Sequence, residues 1–221
     1  MKRFVLCLAV LALAFGSVWR ADAVLIDPDA FANGTDITNA FPGITLTTVD
    51  LGANTFSVLS LSSGLASTGT QVFGRNNTGP NSVTWGDGIW EYLRIDIAAG
   101  ATSATLDFIA DDASDANAVL AAYDGGGNLL TSAASVGIFS TGQTVSLTVS
   151  DPNIATVLAL GDPLGSLATI ASVTSGGGGR DAWQLDNLNV RPIPEPSTYL
   201  LFGIGILAVF GIGYRQRKKA A

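Results

Sequence analysis

Histidine is absent from this 221-residue chain, and cysteine and methionine occur once each. Without imidazole, the nucleophile triads that rely on it are excluded, as are nearly all zinc centres. The one cysteine, Cys7, lies near the N-terminus, and Phe4-Val5-Leu6 ahead of it make no lipobox. Basic residues are scarce between the chain ends. Residues 24–190 hold Arg75, Arg94 and Arg180, with no lysine, against 16 acidic residues. Such a surface repels a phosphate backbone, so nucleic acid is excluded as a partner. Glu91 is the only glutamate of that stretch. Nothing marks a carboxylate pair for glycoside hydrolysis, and the chain reads as non-catalytic.

What is present begins with two apolar blocks at the ends. Residues 1–23 read as a secretory signal peptide: Lys2 and Arg3, an apolar run over residues 4–15, then Ala21-Asp22-Ala23. Small residues at the two positions a signal peptidase reads place the cut before Val24. The apolar core is short for a membrane span, and Arg20 follows it closely. Cleavage there removes Cys7, leaving a mature chain without thiol or disulfide chemistry.

At the other end, residues 199–214 read as a transmembrane helix bounded by Tyr199 and Tyr214. Such a helix is about 24 Å long, slightly under a hydrocarbon core of about 30 Å. Arg215, Arg217, Lys218 and Lys219 follow in residues 215–221. The positive-inside bias sets that basic tail in the cytoplasm and everything before Tyr199 outside. Residues 191–198 form a proline-rich linker containing Pro194-Glu195-Pro196-Ser197-Thr198. The prolines hold it extended and present Glu195 as a stiff, accessible peptide.

This order of Pro-Glu-Pro, apolar helix and basic end resembles the PEP-CTERM sorting tail. The resemblance implies recognition by an exosortase, with the helix as a temporary tether, as in a GPI signal. It implies an inner-membrane-tethered precursor that passes to the cell surface or extracellular matrix. The competing reading is a plain single-pass anchor with a proline-rich stem.

Residues 24–190 read as one acidic β domain. In residues 91–97, Leu93, Ile95 and Ile97 alternate with Tyr92, Arg94 and Asp96. Residues 105–109 set Leu106 and Phe108 inward, and residues 144–149 do so with Val145, Leu147 and Val149. Further strands are expected at 45–49, 56–61, 71–73, 118–123, 129–133, 154–160 and 183–190. Asp124-Gly125-Gly126-Gly127-Asn128 reads as a hairpin turn. Short strands with turn signals between them predict an all-β, antiparallel, jelly-roll-like sandwich. Segments 29–38 and 41–45, Ala122-Tyr123-Asp124-Gly125 and Leu185-Asp186-Asn187-Leu188 resemble jelly-roll, galactose-binding-like domains that accompany PEP-CTERM tails.

Three groups of residues carry binding chemistry. Asp27, Asp29 and Asn33 near the start, with Asp186 near the end, would form a structural Ca²⁺ site if the terminal strands meet. Asp111, Asp112 and Asp115 form an oxygen-rich loop that either holds Ca²⁺ or is merely solvated; it lacks the EF-hand glycine and closing glutamate. Trp85, Asp87 and Trp90, in a glycine-flanked loop, offer rings and a carboxylate to a sugar. Two functions follow: a non-catalytic surface or matrix protein, or a carbohydrate-binding module that retains exopolysaccharide.

Overall fold

The computed structural model describes residues 22–50, 53–76, 81–85, 91–113, 117–137, 139–161, 167–171 and 183–193. The expected signal peptide up to residue 21, the Pro-Glu-Pro segment, the apolar helix and the basic tail lie outside them. Among the described residues no helix is long and apolar enough to cross a membrane.

Among the described residues eleven strands run β1 (Val24–Ile26), β2 (Thr35–Asp36), β3 (Ile44–Val49), β4 (Thr55–Phe56), β5 (Val58–Ser62), β6 (Gln71–Arg75), β7 (Tyr92–Ala110), β8 (Ala118–Tyr123), β9 (Leu129–Ala134), β10 (Thr144–Gly161) and β11 (Trp183–Pro192). Every recorded pairing is antiparallel. The sandwich is therefore as expected, but its two longest strands each span two expected ones. Gly100 and the Asp151-Pro152-Asn153 stretch read as strand ends. Both are instead corners, where one strand passes from the front sheet to the back.

Residues 92–97 of β7 pair with β3 on one side and with residues 156–159 of β10 on the other, and β8 and β9 complete the front sheet. Residues 103–110 of β7 lie between the first half of β10 and β11 in the back sheet, which continues through β6, β5 and β2. At the corner Gly100 has φ +73, and an added β-carbon would lie 2.9 Å from Ile193 Cδ1 and 3.3 Å from the Ile154 carbonyl oxygen. In β10 the register shifts on either side of Ile154. A proline is tolerated in that strand because the ladder is already interrupted there.

The alternation read from sequence decides what fills the space between the sheets. Leu93, Ile95 and Ile97 of β7 meet Leu106 and Phe108 of its own second half, with Leu147, Val149, Val157, Leu185 and Leu188 around them. Trp183 packs edge-on against Phe108 and Phe139, with ring centroids 6.0 and 5.4 Å apart. Arg75 and Glu91 form a buried ion pair. A smaller cluster, with Tyr92, Tyr123, Leu158 and Leu160, covers part of the outer front face beneath Leu167 and Ile170. Burial pushes the Tyr123 phenol up to about 12, with the neighbouring Tyr92 adding to it.

Two terminal features differ from expectation. The three-residue β1 pairs with β11 through Val24↔Val190 to Ile26↔Leu188, a strand too short to show alternation. Strand β11 runs on to Pro192, so Arg191 and Pro192 belong to the sheet rather than to a linker.

Candidate functional site

The sequence-selected acids around the chain ends prove to be hydrogen-bond acceptors that shape one loop. Asp27 caps the short 3₁₀ turn Pro28–Ala30, its Oδ1 accepting the Asp29 N–H at 2.8 Å. Asp29 Oδ1 in turn accepts the N–H groups of Thr70 at 2.8 Å and Gln71 at 3.0 Å. A β-carbon at Gly69 would lie 2.1 Å from Asp29 Oδ2, so only glycine lets the carboxylate approach. Asn33 Oδ1 accepts the Ser62 N–H at 2.9 Å.

Asp186 grips the same loop a few residues earlier, at Ser67 and Thr68. Its Oδ2 accepts from Ser67 N–H at 3.0 Å, Ser67 Oγ at 2.8 Å and Thr68 N–H at 3.2 Å, while Oδ1 accepts the Asn187 N–H at 2.9 Å. Asp186 is fully buried. Burial raises its pKa, and the hydrogen bonds from Ser67, Thr68 and Asn187 offset only part of that rise. Asp107, its cross-strand partner, accepts from Asn187 Nδ2 at 3.2 Å and is hydrogen-bonded to Ser146. Asn187 has φ +46 at the bulge between Asp186 and Asn189. The adjacent polar pair Asp186-Asn187, which breaks the alternation of β11, was the available sign of that bulge.

The terminal strands do meet, yet they do not gather these acids into one ligand set. Among the described residues no three carboxylate, imidazole or thiol groups converge as a metal cluster. Asp27, Asp29 and Asn33 are engaged by the main-chain donors of Asp29, Thr70, Gln71 and Ser62, and Asp186 by those of Ser67, Thr68 and Asn187. Asp111 and Asp112 lie in the bend after β7, while Asp115 is outside the described residues.

Trp85 corrects another expectation. It is 1% exposed, its Nε1 donates to the Phe73 carbonyl at 2.8 Å, and its main chain bridges Trp183. A ring held this way has no free face for a sugar. Trp85, the first residue of the glycine-flanked stretch, is instead a core anchor. Asp87 and Trp90 lie outside the described residues.

The front face carries a different opening, a groove of about 480 Å³ lined by Asn39, Phe41, Thr45, Asp96 and Thr156, among others. Phe41 is half-buried and is held edge-on by Phe31, with centroids 5.7 Å apart. Asp96 is 37% exposed and accepts from Arg94 Nε at 2.8 Å and from Thr156 Oγ1 at 2.8 Å. Thr45 Oγ1 donates to Asn39 Oδ1 at 3.2 Å. The groove thus sets one aromatic ring beside a carboxylate, an amide and two hydroxyls. Alternation already put Asp96 on the outward face, but nothing local showed that Phe41 would stand beside it.

Among curated proteins nothing matches this chain. Among solved structures it is similar to a cleaved adhesin domain of Lys-gingipain, at 15% identity over 76% of this chain and 99% of that one, with a TM-score of 0.46. It is also similar to a mutant family 29 carbohydrate-binding module, at 9% identity over 79% and 99%, TM-score 0.34. A second cleaved adhesin domain of Lys-gingipain, from Porphyromonas gingivalis, aligns at 10% identity over 78% and 99%, TM-score 0.30. At the C-terminal end a family model matches residues 192–218, starting on the final residue of β11. Directly after its sandwich, the chain carries a PEP-CTERM protein-sorting motif.

Proposed function

We propose that this is a non-catalytic surface or extracellular-matrix protein, delivered by signal peptidase and then an exosortase. The observation that carries the reading is the PEP-CTERM motif at residues 192–218, beginning where the last strand ends. Ile193 N–H still donates to the Gly100 carbonyl at 3.1 Å, so the folded domain reaches to the edge of Pro194-Glu195-Pro196. The enzyme would then meet Glu195 between its two prolines directly after the last strand. The apolar segment tethers the precursor in the inner membrane until the tail is processed.

In an exosortase-bearing host, Glu195→Ala should be exported yet keep its tail and remain with the inner membrane. Wild type should appear at the surface or in the medium at lower mass. Equal mass and equal release for the two would reduce the motif to a stem.

A second role, retention of exopolysaccharide, rests on the front-face groove. Phe41 supplies a ring for stacking, and Asn39, Asp96 and Thr156 supply polar groups around it. Phe41→Ala and Asp96→Asn should each reduce retention on the host's own polysaccharide at least several-fold. Retention unchanged in both variants would remove the groove from the account.

A further inference from the structure

We propose that the first half of β10, residues 144–150, is a docking edge for a second copy of this chain, which pairs with it antiparallel about a two-fold axis at Leu147. Among the described residues this stretch is the outer strand of the back sheet. Its recorded pairing is with β7 alone, because β8 takes up β10 only from Thr156 onward. The phase of that pairing fixes which groups remain available. Ala110 N–H donates to the Gln143 carbonyl at 3.0 Å, and the register continues through Val145↔Phe108, Leu147↔Leu106 and Val149↔Ala104. In an antiparallel pair alternate residues bond inward, so residues 145, 147 and 149 serve β7. Thr144, Ser146, Thr148 and Ser150 turn their N–H and C=O groups the other way. The Thr105 and Thr148 hydroxyls stand 2.9 Å apart, as the closer approach of a non-hydrogen-bonded pair allows, which supports the phase.

Edges of this kind are usually blunted by charge, proline or a bulge. Thr144-Val145-Ser146-Leu147-Thr148-Val149-Ser150 has none of these, and Pro152 comes only after it. The stretch also has a symmetry of type. Read backwards from Ser150 it gives the same alternation of hydroxyl and apolar residues about a central leucine. Antiparallel self-pairing at Leu147 sets Ser146 opposite Thr148 of the partner subunit and Thr144 opposite Ser150 of the partner subunit. Those are the residues whose main-chain groups face outward, so both bonds of each pair can form. Val145, half-buried at the open edge, meets Val149 of the partner subunit and is covered. No charge of this acidic domain lies on the paired segment. A two-fold contact closes on itself, so it yields dimers and not fibres.

The test uses the full chain in detergent micelles with Cys7→Ala, which leaves no native cysteine. One preparation carries Ser146→Cys and another Thr148→Cys. Paired α-carbons about 5.5 Å apart are within disulfide reach. Mild oxidation of the mixture should give covalent dimer several-fold above either preparation alone. Sedimentation of the unsubstituted chain should show a concentration-dependent dimer. Thr148→Lys should make it monomeric while keeping the β-rich circular dichroism spectrum, because that side chain is exposed and its N–H does not serve β7. Thr148→Pro should act in the same direction. The proposal is overturned by a wild-type monomer at every concentration, by a dimer that persists with Thr148→Lys, or by cross-linking no higher in the mixture. Polymers without the 146–148 cross-link would mean that another edge is used, and would overturn it as well.

Discussion

Replacing Asp186 by alanine removes the acceptor that holds Ser67 and Thr68 of the 63–70 loop against β11. Three main-chain donors, on Ser67, Thr68 and Asn187, lose a carboxylate at 2.9 to 3.2 Å. Hydrogen bonds to a charged acceptor contribute about 1.5–3 kcal/mol each. Ser67 and Thr68 sit in a loop that can turn toward water, whereas Asn187 is pinned in the sheet. Burial of the carboxylate also costs stability in the wild type, as its raised pKa records. Together these set the expected loss at about 3–4 kcal/mol. For a unit of this size that lowers Tm by about 10 °C.

Circular dichroism melts of residues 24–193 would measure it, and pH supplies a second, independent readout. Since the folded carboxyl titrates above the ordinary 3.8, the native state takes up its proton first. Wild type should therefore gain stability as pH falls from neutral through that folded pKa, and the Asp186→Ala variant should lack this gain. A loss under about 1 kcal/mol would refute the loop-clamp account. So would a gain on acidification of the same size in both proteins.

Gly100→Ala places a side chain at φ +73 against Ile193 and the Ile154 carbonyl. It should cost about 1–3 kcal/mol and lower Tm without changing the circular dichroism spectrum of the native state. Asp36 and Asp124 are the opposite case to Asp186. At Asp36 burial raises the pKa, but hydrogen bonds from Thr38 and Ser57 outweigh it; at Asp124 hydrogen bonds from Asn128 dominate, and both groups end below 3.8. Their contribution is present above the unfolded pKa and lost as pH falls through the folded one, so wild-type stability should fall below about pH 4. A flat stability profile between pH 5 and 2 would contradict it.

Much of the sandwich was legible because a half-buried strand writes its burial at period two. Leu93, Ile95 and Ile97 are inside, and Arg94 and Asp96 are outside, as read. What failed to show were features with no local period. The pairing of Val24–Ile26 depends on β11, some 160 residues away. The continuity of β7 through Gly100 depends on a second sheet lying across the corner. Trp85 is buried although the glycines after it suggest an exposed loop, because the Phe73 carbonyl of β6 captures its Nε1 and no local pattern shows that contact. The PEP-CTERM motif was the most legible part, since its elements are contiguous.

The acids were harder to read, because aspartate in an acidic exported domain admits two explanations. One is a cation site and the other is turn construction. The hydrogen bonds favour the second for most of those described. Asp36 accepts the Thr38 N–H, Asp50 the Asn54 N–H, Asp124 the Gly126 and Asn128 N–H groups, and Asp151 the Asn153 N–H. With Asp27, Asp29 and Asp186 they form a set in which a short carboxylate replaces a main-chain acceptor where a strand ends or a loop docks. Sheets joined by tight turns leave unpaired N–H groups at each connection, and aspartate satisfies them with one small side chain. Lysine has no acceptor for that role and leaves no trace in residues 24–190. The acidity of the domain thus follows in large part from how its turns are closed, while the front-face groove uses Asp96, whose carboxylate faces side chains rather than a turn.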